Sequence, residues 1–297
     1  MSNCQPKVAR KANVFAILIT LAITCGGSLA YGDTLYGITN DDNLISVNTS
    51  NPGAANLVGV LNVTAASLGI FSNAGNLYVY DTNSNVLRQI SPTTAATIAT
   101  INLGLAAAPG EGDVAFQNGV GYLVSTLQPD GSFGATGTLF KFTLSANSAT
   151  VVSTSIPLLD GLAFSSAGVL YGLSQGGTSL YTINTTTGAA TLVGGGTGID
   201  DNCGGFACYS FGGLSFGTSG TLFADLTNFS SPTSSFFTID PNTGAATANG
   251  AIPFDQVSGL TSATPIVVTP TPEPTTLLLA GGALLALGIY RRNLARS

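Results

Sequence analysis

The chain has no histidine and no tryptophan, and only 7 % of its 297 residues are charged. Without histidine, a Ser-His-Asp triad, a Cys-His pair and any imidazole-ligated metal site are excluded. Without tryptophan, the indole plate on which sugar sites commonly stack a pyranose ring is missing. Basic residues are nearly confined to the ends: Lys7, Arg10 and Lys11 at the start, Arg291, Arg292 and Arg296 at the finish, with only Arg88 and Lys141 between. Thirteen acidic residues lie from Asp33 to Asp255. A surface of that sign repels phosphate backbones, so nucleic acid is not expected as a partner. What is abundant is Gly (38 residues), with Ser, Thr, Asn and Ala and a 44 % hydrophobic fraction. That mixture suits short strands joined by turns, and it is too apolar for a disordered chain.

The N-terminus reads as a secretory signal. Basic residues precede the apolar run 14–23, and small residues then lead to Ser28-Leu29-Ala30, a signal-peptidase site cut between Ala30 and Tyr31. A retained membrane anchor is the alternative, but the run is short and ends in the small-residue pattern. Cys25 follows Ile23-Thr24, a poor lipobox, so a lipoprotein is set aside.

The C-terminus holds a Thr/Pro-rich linker (264–271), then Pro272-Glu273-Pro274, an apolar block from Leu277 to Tyr290 and the cluster Arg291-Arg292. As a helix the block would be about 21 Å long, short of a ~30 Å hydrocarbon core, with flanking arginines able to snorkel. Those arginines are expected on the cytoplasmic side, leaving the preceding domain exported. The two prolines hold the backbone extended just above the bilayer. An ordinary tail anchor would have a longer span and no need of them. These three parts, in this order, resemble the PEP-CTERM sorting signal of bacteria that export extracellular polymer. The resemblance covers about Thr271 to Ser297. It implies recognition by an exosortase, a membrane-embedded transpeptidase-like enzyme, with cleavage near Pro272-Glu273-Pro274. It further implies passage through the Sec and signal-peptidase machinery, a transient membrane intermediate, and arrival at the cell surface or beyond, where extracellular polysaccharide is the partner class at hand.

Between these segments one pattern recurs: a small apolar strand, a Gly turn, an aromatic strand and a hairpin. Its clearest copies start at Gly161-Leu-Ala-Phe164 and Gly213-Leu-Ser-Phe216, with others at Leu68-Gly-Ile-Phe71 and Asp113-Val-Ala-Phe116. Tyr36, Tyr78, Tyr122, Tyr171 and Phe223 take equivalent places, at steps suited to four-stranded propeller blades. The first copy lacks its opening strand, and Val257-Ser-Gly-Leu-Thr261 supplies one at the other end. The expected fold is therefore all-β, a five-bladed β-propeller closed by a C-terminal strand, flanked by an N-terminal signal helix and a C-terminal transmembrane helix. A β-sandwich or open solenoid is the alternative. The stretch LYTINTTTGAATLVG also resembles uncharacterised propeller domains of other exported proteins with this tag, a likeness that names no activity. The expected organisation is signal peptide 1–30, propeller 31–263, linker 264–271 and sorting signal 272–297.

Cys203 and Cys208 form an even pair in an exported chain and are read as a disulfide pinning a loop. Asp81-Thr-Asn-Ser-Asn85 opens like a calcium loop, but Val86 and Pro92 replace the required Gly and Glu, so it is read as a solvated turn. The Asp-Asp-Asn runs 41–43 and 200–202 could bind calcium weakly, but they are read as solubilising turns instead. Asp113, Asp160 and Asp225 are the candidates for a paired-carboxylate glycosidase or lyase. The preferred reading is non-enzymatic, with no cofactor, no metal and no catalytic residue.

Overall fold

Strands of three to ten residues, broken by Gly, Asn and Asp turns, account for nearly all regular structure. The computed structural model describes residues 32–63, 67–146, 148–202, 209–228, 231 and 233–262. Residues 34–60 form β1 (Thr34–Thr39), β2 (Asn43–Asn48) and β3 (Asn51–Val60). The second group is β4 (Ser67–Asn73), β5 (Asn76–Asp81), β6 (Val86–Ile90) and β7 (Thr97–Ile101). The third is β8 (Val114–Gln117), β9 (Val120–Leu127), β10 (Phe133–Phe142) and β11 (Ala149–Ile156). The fourth is β12 (Leu159–Phe164), β13 (Leu170–Ser174), β14 (Leu180–Ile183) and β15 (Ala190–Leu192). The fifth is β16 (Tyr209–Phe216), β17 (Leu222–Asn228), β18 (Ser234–Ile239) and β19 (Ala246–Ile252), and β20 (Val257–Ser262) ends the series.

Each group is an antiparallel sheet in chain order, and β20 joins the first sheet in the order β20-β1-β2-β3. Five four-stranded blades result, with β20, β4, β8, β12 and β16 innermost. Each innermost strand packs against the next, and β20 against both β16 and β4, so the ring closes. The closing strand borrowed from the chain's end leaves no inner edge unpaired.

The five aromatic residues spaced along the sequence occupy one register. Tyr36 pairs with Thr261, Tyr78 with Phe71, Tyr122 with Ala115, Tyr171 with Ala163 and Phe223 with Ser215. Each contributes to a different one of five apolar clusters. Every cluster lies between two neighbouring blades, so the core is divided into five wedges. Stacked or edge-on ring pairs pack in four of them, among them Phe71–Tyr78 at 4.9 Å and Tyr171–Phe216 at 5.5 Å, while the wedge between blades one and two is chiefly aliphatic.

A five-residue turn recurs in the outer hairpins. In Asn184-Thr-Thr-Thr-Gly188 and Asp240-Pro-Asn-Thr-Gly244 the last amide donates to the first carbonyl (2.7 and 2.8 Å), and the glycine takes a positive φ. The first side chain caps the turn, Asn184 Oδ1 accepting from Thr186 and Thr187 N–H and Asp240 Oδ1 from Asn242 N–H. Ser91-Pro-Thr-Thr-Ala95 repeats this with Ala95 at φ 61°, buried against blade one.

Both ends of the ring are fastened. Asp33 accepts hydrogen bonds from Thr218 and Ser219 of blade five, and Ser72 Oγ donates to the carbonyl of Ser262 (2.6 Å). The signal segment with Ala30 and Tyr31, the pair Cys203 and Cys208, and the C-terminal segment with Pro272, Glu273, Pro274, Arg291 and Arg292 lie outside the described residues. No helix among the described residues is long and apolar enough to cross a membrane.

Candidate functional site

Residues with chemistry were sought first on the ring axis. Gly69, Asp113, Gly161, Gly213 and Gly259 immediately precede Ile70, Val114, Leu162, Leu214 and Leu260, which line one cavity from all five inner strands. A Cβ added to Gly69 would strike Asp113, one on Gly161 would meet Leu214, one on Gly213 would meet Gly259, and one on Gly259 would meet Gly69. These contacts run round the ring from blade to blade. Between blades three and four the link is the Asp113 side chain, whose Oδ2 accepts from Leu162 N–H (2.9 Å) while Oδ1 accepts from Val114 N–H (2.8 Å). The Leu214 amide of blade five lies near this carboxyl and helps to hold its charge. Four glycines and one aspartate thus close the centre, and Asp113 ties inner strands β8 and β12 together.

Asp113 is fully buried, and burial pushes its carboxyl well above the usual range, with the nearby Asp225 charge adding to the rise. Asp225 is one strand out from the inner strand of its blade. It sits on β17, opposite Gly213 and Phe236, fully buried and likewise raised by burial. Asp160 is on inner strand β12, 1 % exposed. Burial, helped by the charges of Glu111 and Asp201, lifts its carboxyl to about 7. The amides of Gly213 and Gly176 lie near Asp225 and Asp160, but no carboxylate oxygen of either has a well-aligned hydrogen-bond partner. Asp113 and Asp225 are therefore brought together and Asp160 is held apart. None of the three lines either of the cavities described here, the arrangement that a glycosidase pair requires.

The two faces of the ring differ. Where the inner strands end, a cavity of about 370 Å³ is lined by the apolar ends of all five, including Phe71, Phe116, Phe164 and Phe216, with Ser and Thr hydroxyls and no charged group. Where they begin, a second cavity of about 310 Å³ lies between blades three and four, beside Glu111, Gln175 and Phe133. Gln175 Nε2 donates to Glu111 Oε2 (2.8 Å), and burial raises the Glu111 carboxyl. Sequence reasoning passed over Glu111, although it is the only glutamate between the terminal segments. It precedes an inner strand by three residues, a position whose meaning depends on which strands adjoin it.

The remaining acidic motifs are turns. The stretch 81–85 bends between β5 and β6, but it is not simply solvated. Asp81 is fully buried and receives Arg88 Nε and Nη2 at 2.8 and 2.7 Å. Burial pushes this carboxyl up, and the hydrogen bonds from Arg88 and Ser84 outweigh it, holding the group below its ordinary value. Asp42 carries the β1–β2 turn at φ 59°. Asp200 Oδ1 accepts from Asn202 N–H, and Asp201 Oδ1 from Tyr209 N–H at 2.8 Å. Among the described residues, no three acidic or cysteine side chains are grouped to hold a metal ion.

Residues 270–292 match the PEP-CTERM protein-sorting motif, a stretch that includes Pro272, Glu273, Pro274, Arg291 and Arg292. No curated protein matches the chain. Among solved structures, a chain in the crystal structure of a nidogen/laminin complex is similar over 78 % of this chain and 98 % of its own, at 11 % identity and a TM-score of 0.47. Glutaminyl cyclase of Myxococcus xanthus is similar over 66 % of this chain and 70 % of its own, at 19 % identity and a TM-score of 0.40. Hydrazine synthase of Kuenenia stuttgartiensis is similar over 63 % and 49 %, at 14 % identity and a TM-score of 0.40. Likenesses so distant carry no argument about what this chain binds or does.

Proposed function

We propose that the chain is an exosortase-sorted extracellular protein, a non-catalytic acidic propeller delivered by a removable C-terminal address. The observation that carries this reading is the PEP-CTERM motif at residues 270–292, placed just beyond a ring whose last strand ends at Ser262. β20 is paired to β1 and its final carbonyl is held by Ser72, so the strand that closes the ring ends before the motif starts. Cutting the chain near Pro272-Glu273-Pro274 then removes no strand of the ring.

In this reading residues 1–30 are a signal peptide cut between Ala30 and Tyr31, which leaves Asp33 to clamp blade five. Residues 264–271 are a spacer, and Leu277–Tyr290 is a short membrane helix held by Arg291 and Arg292 until processing. Cys203 and Cys208 form a disulfide across their loop. The bond from Tyr209 N–H to Asp201, which draws the two flanks together, supports that pairing. The ring's role is structural or binding, among extracellular polysaccharide. The carbohydrate-active alternative gains nothing from Asp113, Asp160 and Asp225, which are buried away from both cavities.

Replacing Pro272, Glu273 and Pro274 together by alanine in a producing bacterium tests the sorting step. The expected result is a full-length precursor that accumulates in the membrane fraction while the exterior pool disappears. A variant exported and trimmed like the parent would refute the exosortase route.

A further inference from the structure

The cavity of about 370 Å³ where the inner strands end has a lining that closing the ring does not require. Its floor is aliphatic, with one residue from each blade: Ile70, Val114, Leu162, Leu214 and Leu260. Next to them the axial glycines and Asp113 shut the axis, so the space is a cup and not a channel. Its walls differ from side to side. At one register of the inner strands, blades three, four and five carry Phe116, Phe164 and Phe216, paired with Gly121, Leu170 and Leu222. At that same register blades two and one carry Ser72 and Ser262, paired with Leu77 and Leu35. Two blades thus complete the ring with a serine there, and the fold does not demand phenylalanine at this position.

The three phenylalanines are partly exposed, and they stand on consecutive inner strands that pack against one another. Each is fixed by a second ring. Phe116 stacks on Phe71 (5.1 Å), while Phe164 meets Tyr122 (5.8 Å) and Phe216 meets Tyr171 (5.5 Å) edge-on. A contiguous aromatic arc in a concave wall, bordered by hydroxyls, is the usual make-up of a small-molecule site, and its volume falls within the range of about 300–1,000 Å³. The hydroxyls of the lining have already used their protons. Ser72 Oγ donates to Ser262 O (2.6 Å), Ser215 Oγ to Phe216 O (3.3 Å) and Thr218 Oγ1 to Asp33. A hydroxyl has one proton and two lone pairs, so what these groups still offer is acceptors. No charged side chain lines the cup. Asp113, next to the floor, is held by backbone amides, and Asp33, behind Thr218, is held by Thr218 and Ser219.

We propose that this cup binds a neutral aromatic alcohol, with its apolar end on the aliphatic floor, its ring among Phe116, Phe164 and Phe216, and its hydroxyl donating to the serine side of the wall. A ring is favoured over a plain alkyl chain, because edge and face contacts with fixed aromatics add to the burial of area. A hydroxyl is favoured over an ionised group, because a charge would be desolvated there without a partner. A sugar is disfavoured, because several of its hydroxyls would be buried against aliphatic side chains. This site stands or falls independently of how the protein is sorted.

The test is a titration of the mature exported protein with 4-ethylphenol at about pH 6, where its hydroxyl stays protonated, followed by amide chemical shifts. Ethylbenzene, 4-ethylbenzoate and methyl glucoside serve as separate arms. Saturable binding of 4-ethylphenol is expected, with shifts centred on Ile70, Phe164 and Leu260. Ethylbenzene should bind about fivefold more weakly for want of the hydroxyl, and the benzoate and the glucoside should not bind. Phe164→Ser copies the residue that two other blades carry at this register, and it should weaken binding about fivefold. Phe133→Ser, outside the cup, should leave binding unchanged. No saturable binding of 4-ethylphenol, or undiminished binding in Phe164→Ser, would overturn the proposal. Equal binding of ethylbenzene or of the benzoate would overturn it too, as would binding of the glucoside with the phenol inert. The comparison of the four ligands uses the unaltered protein, so it decides the matter even where the variant is unstable.

Discussion

Gly213→Ala should prevent the ring from closing and cost on the order of 3 kcal/mol or more. The added methyl would sit 2.6 Å from the Cα of Gly259 and against the Leu260 amide, all backbone atoms of the closing strand. A flexible side chain could swing aside, but two inner strands pressed together cannot separate without opening the seam between blades five and one. That seam is made by β20, the strand supplied from the far end of the chain. The variant should therefore lose cooperative thermal unfolding and expose β20 to proteolysis. Gly195→Ala is the control, since a Cβ there meets nothing within 4 Å and it should unfold like the parent. A Gly213→Ala protein as stable as the control would mean that the axis is less tightly closed than described.

Stability should also fall as the pH rises from about 5 to about 8, a range in which ordinary exposed carboxylates are already ionised and contribute little change. Asp160 carries the argument. Its carboxyl titrates near 7 in the folded ring, against 3.8 as the ordinary value. A carboxyl raised by folding contributes fully while it is protonated in both states, below the ordinary value, and that contribution is lost as pH rises through the folded value. The full difference is roughly 4 kcal/mol, reached only above pH 7. Asp113, Asp225 and Glu111 are shifted the same way, and Asp81 the opposite way. Asp81 is lowered by Arg88, so its contribution is present above the ordinary carboxylate range and fades only on stronger acidification. The optimum should thus be mildly acidic. Asp160→Asn should make the decline between pH 5 and 8 shallower and leave the variant more stable than the parent at pH 8, by about 1–3 kcal/mol. Urea midpoints across that range give the answer. An unchanged slope in the variant would show that Asp160 is not the group responsible.

Much of the architecture was open to reading from residues alone, because a propeller repeats its local chemistry. The aromatic at the same register of each second strand, from Tyr36 to Phe223, recurs because each wedge between blades needs one large ring. The displaced strand Val257–Thr261 was recognisable because the first blade visibly lacked it. What could not be read depends on blades meeting. Asp113 looked like a glycosidase candidate, since nothing in its own repeat shows that four glycines from the other blades leave just the room its carboxyl fills. Asp225 shares a short-residue neighbourhood with inner-strand positions, and only the pairing of Gly213 with Asp225 places it one strand outward. Asp81 and Arg88 are seven residues apart across a hairpin, so their contact follows from register and not from spacing. Glu111, Asp160 and Asp201 belong to three repeats and become neighbours only when the ring closes.

The central claim is that a self-contained ring, exported by its N-terminal signal, is sorted by a C-terminal address that is then removed. Mass spectrometry of both termini of the protein recovered from the cell exterior tests it most directly. The expected product begins at Tyr31 and retains nothing beyond the neighbourhood of Pro274. Exterior protein still ending in Arg296-Ser297 would contradict it.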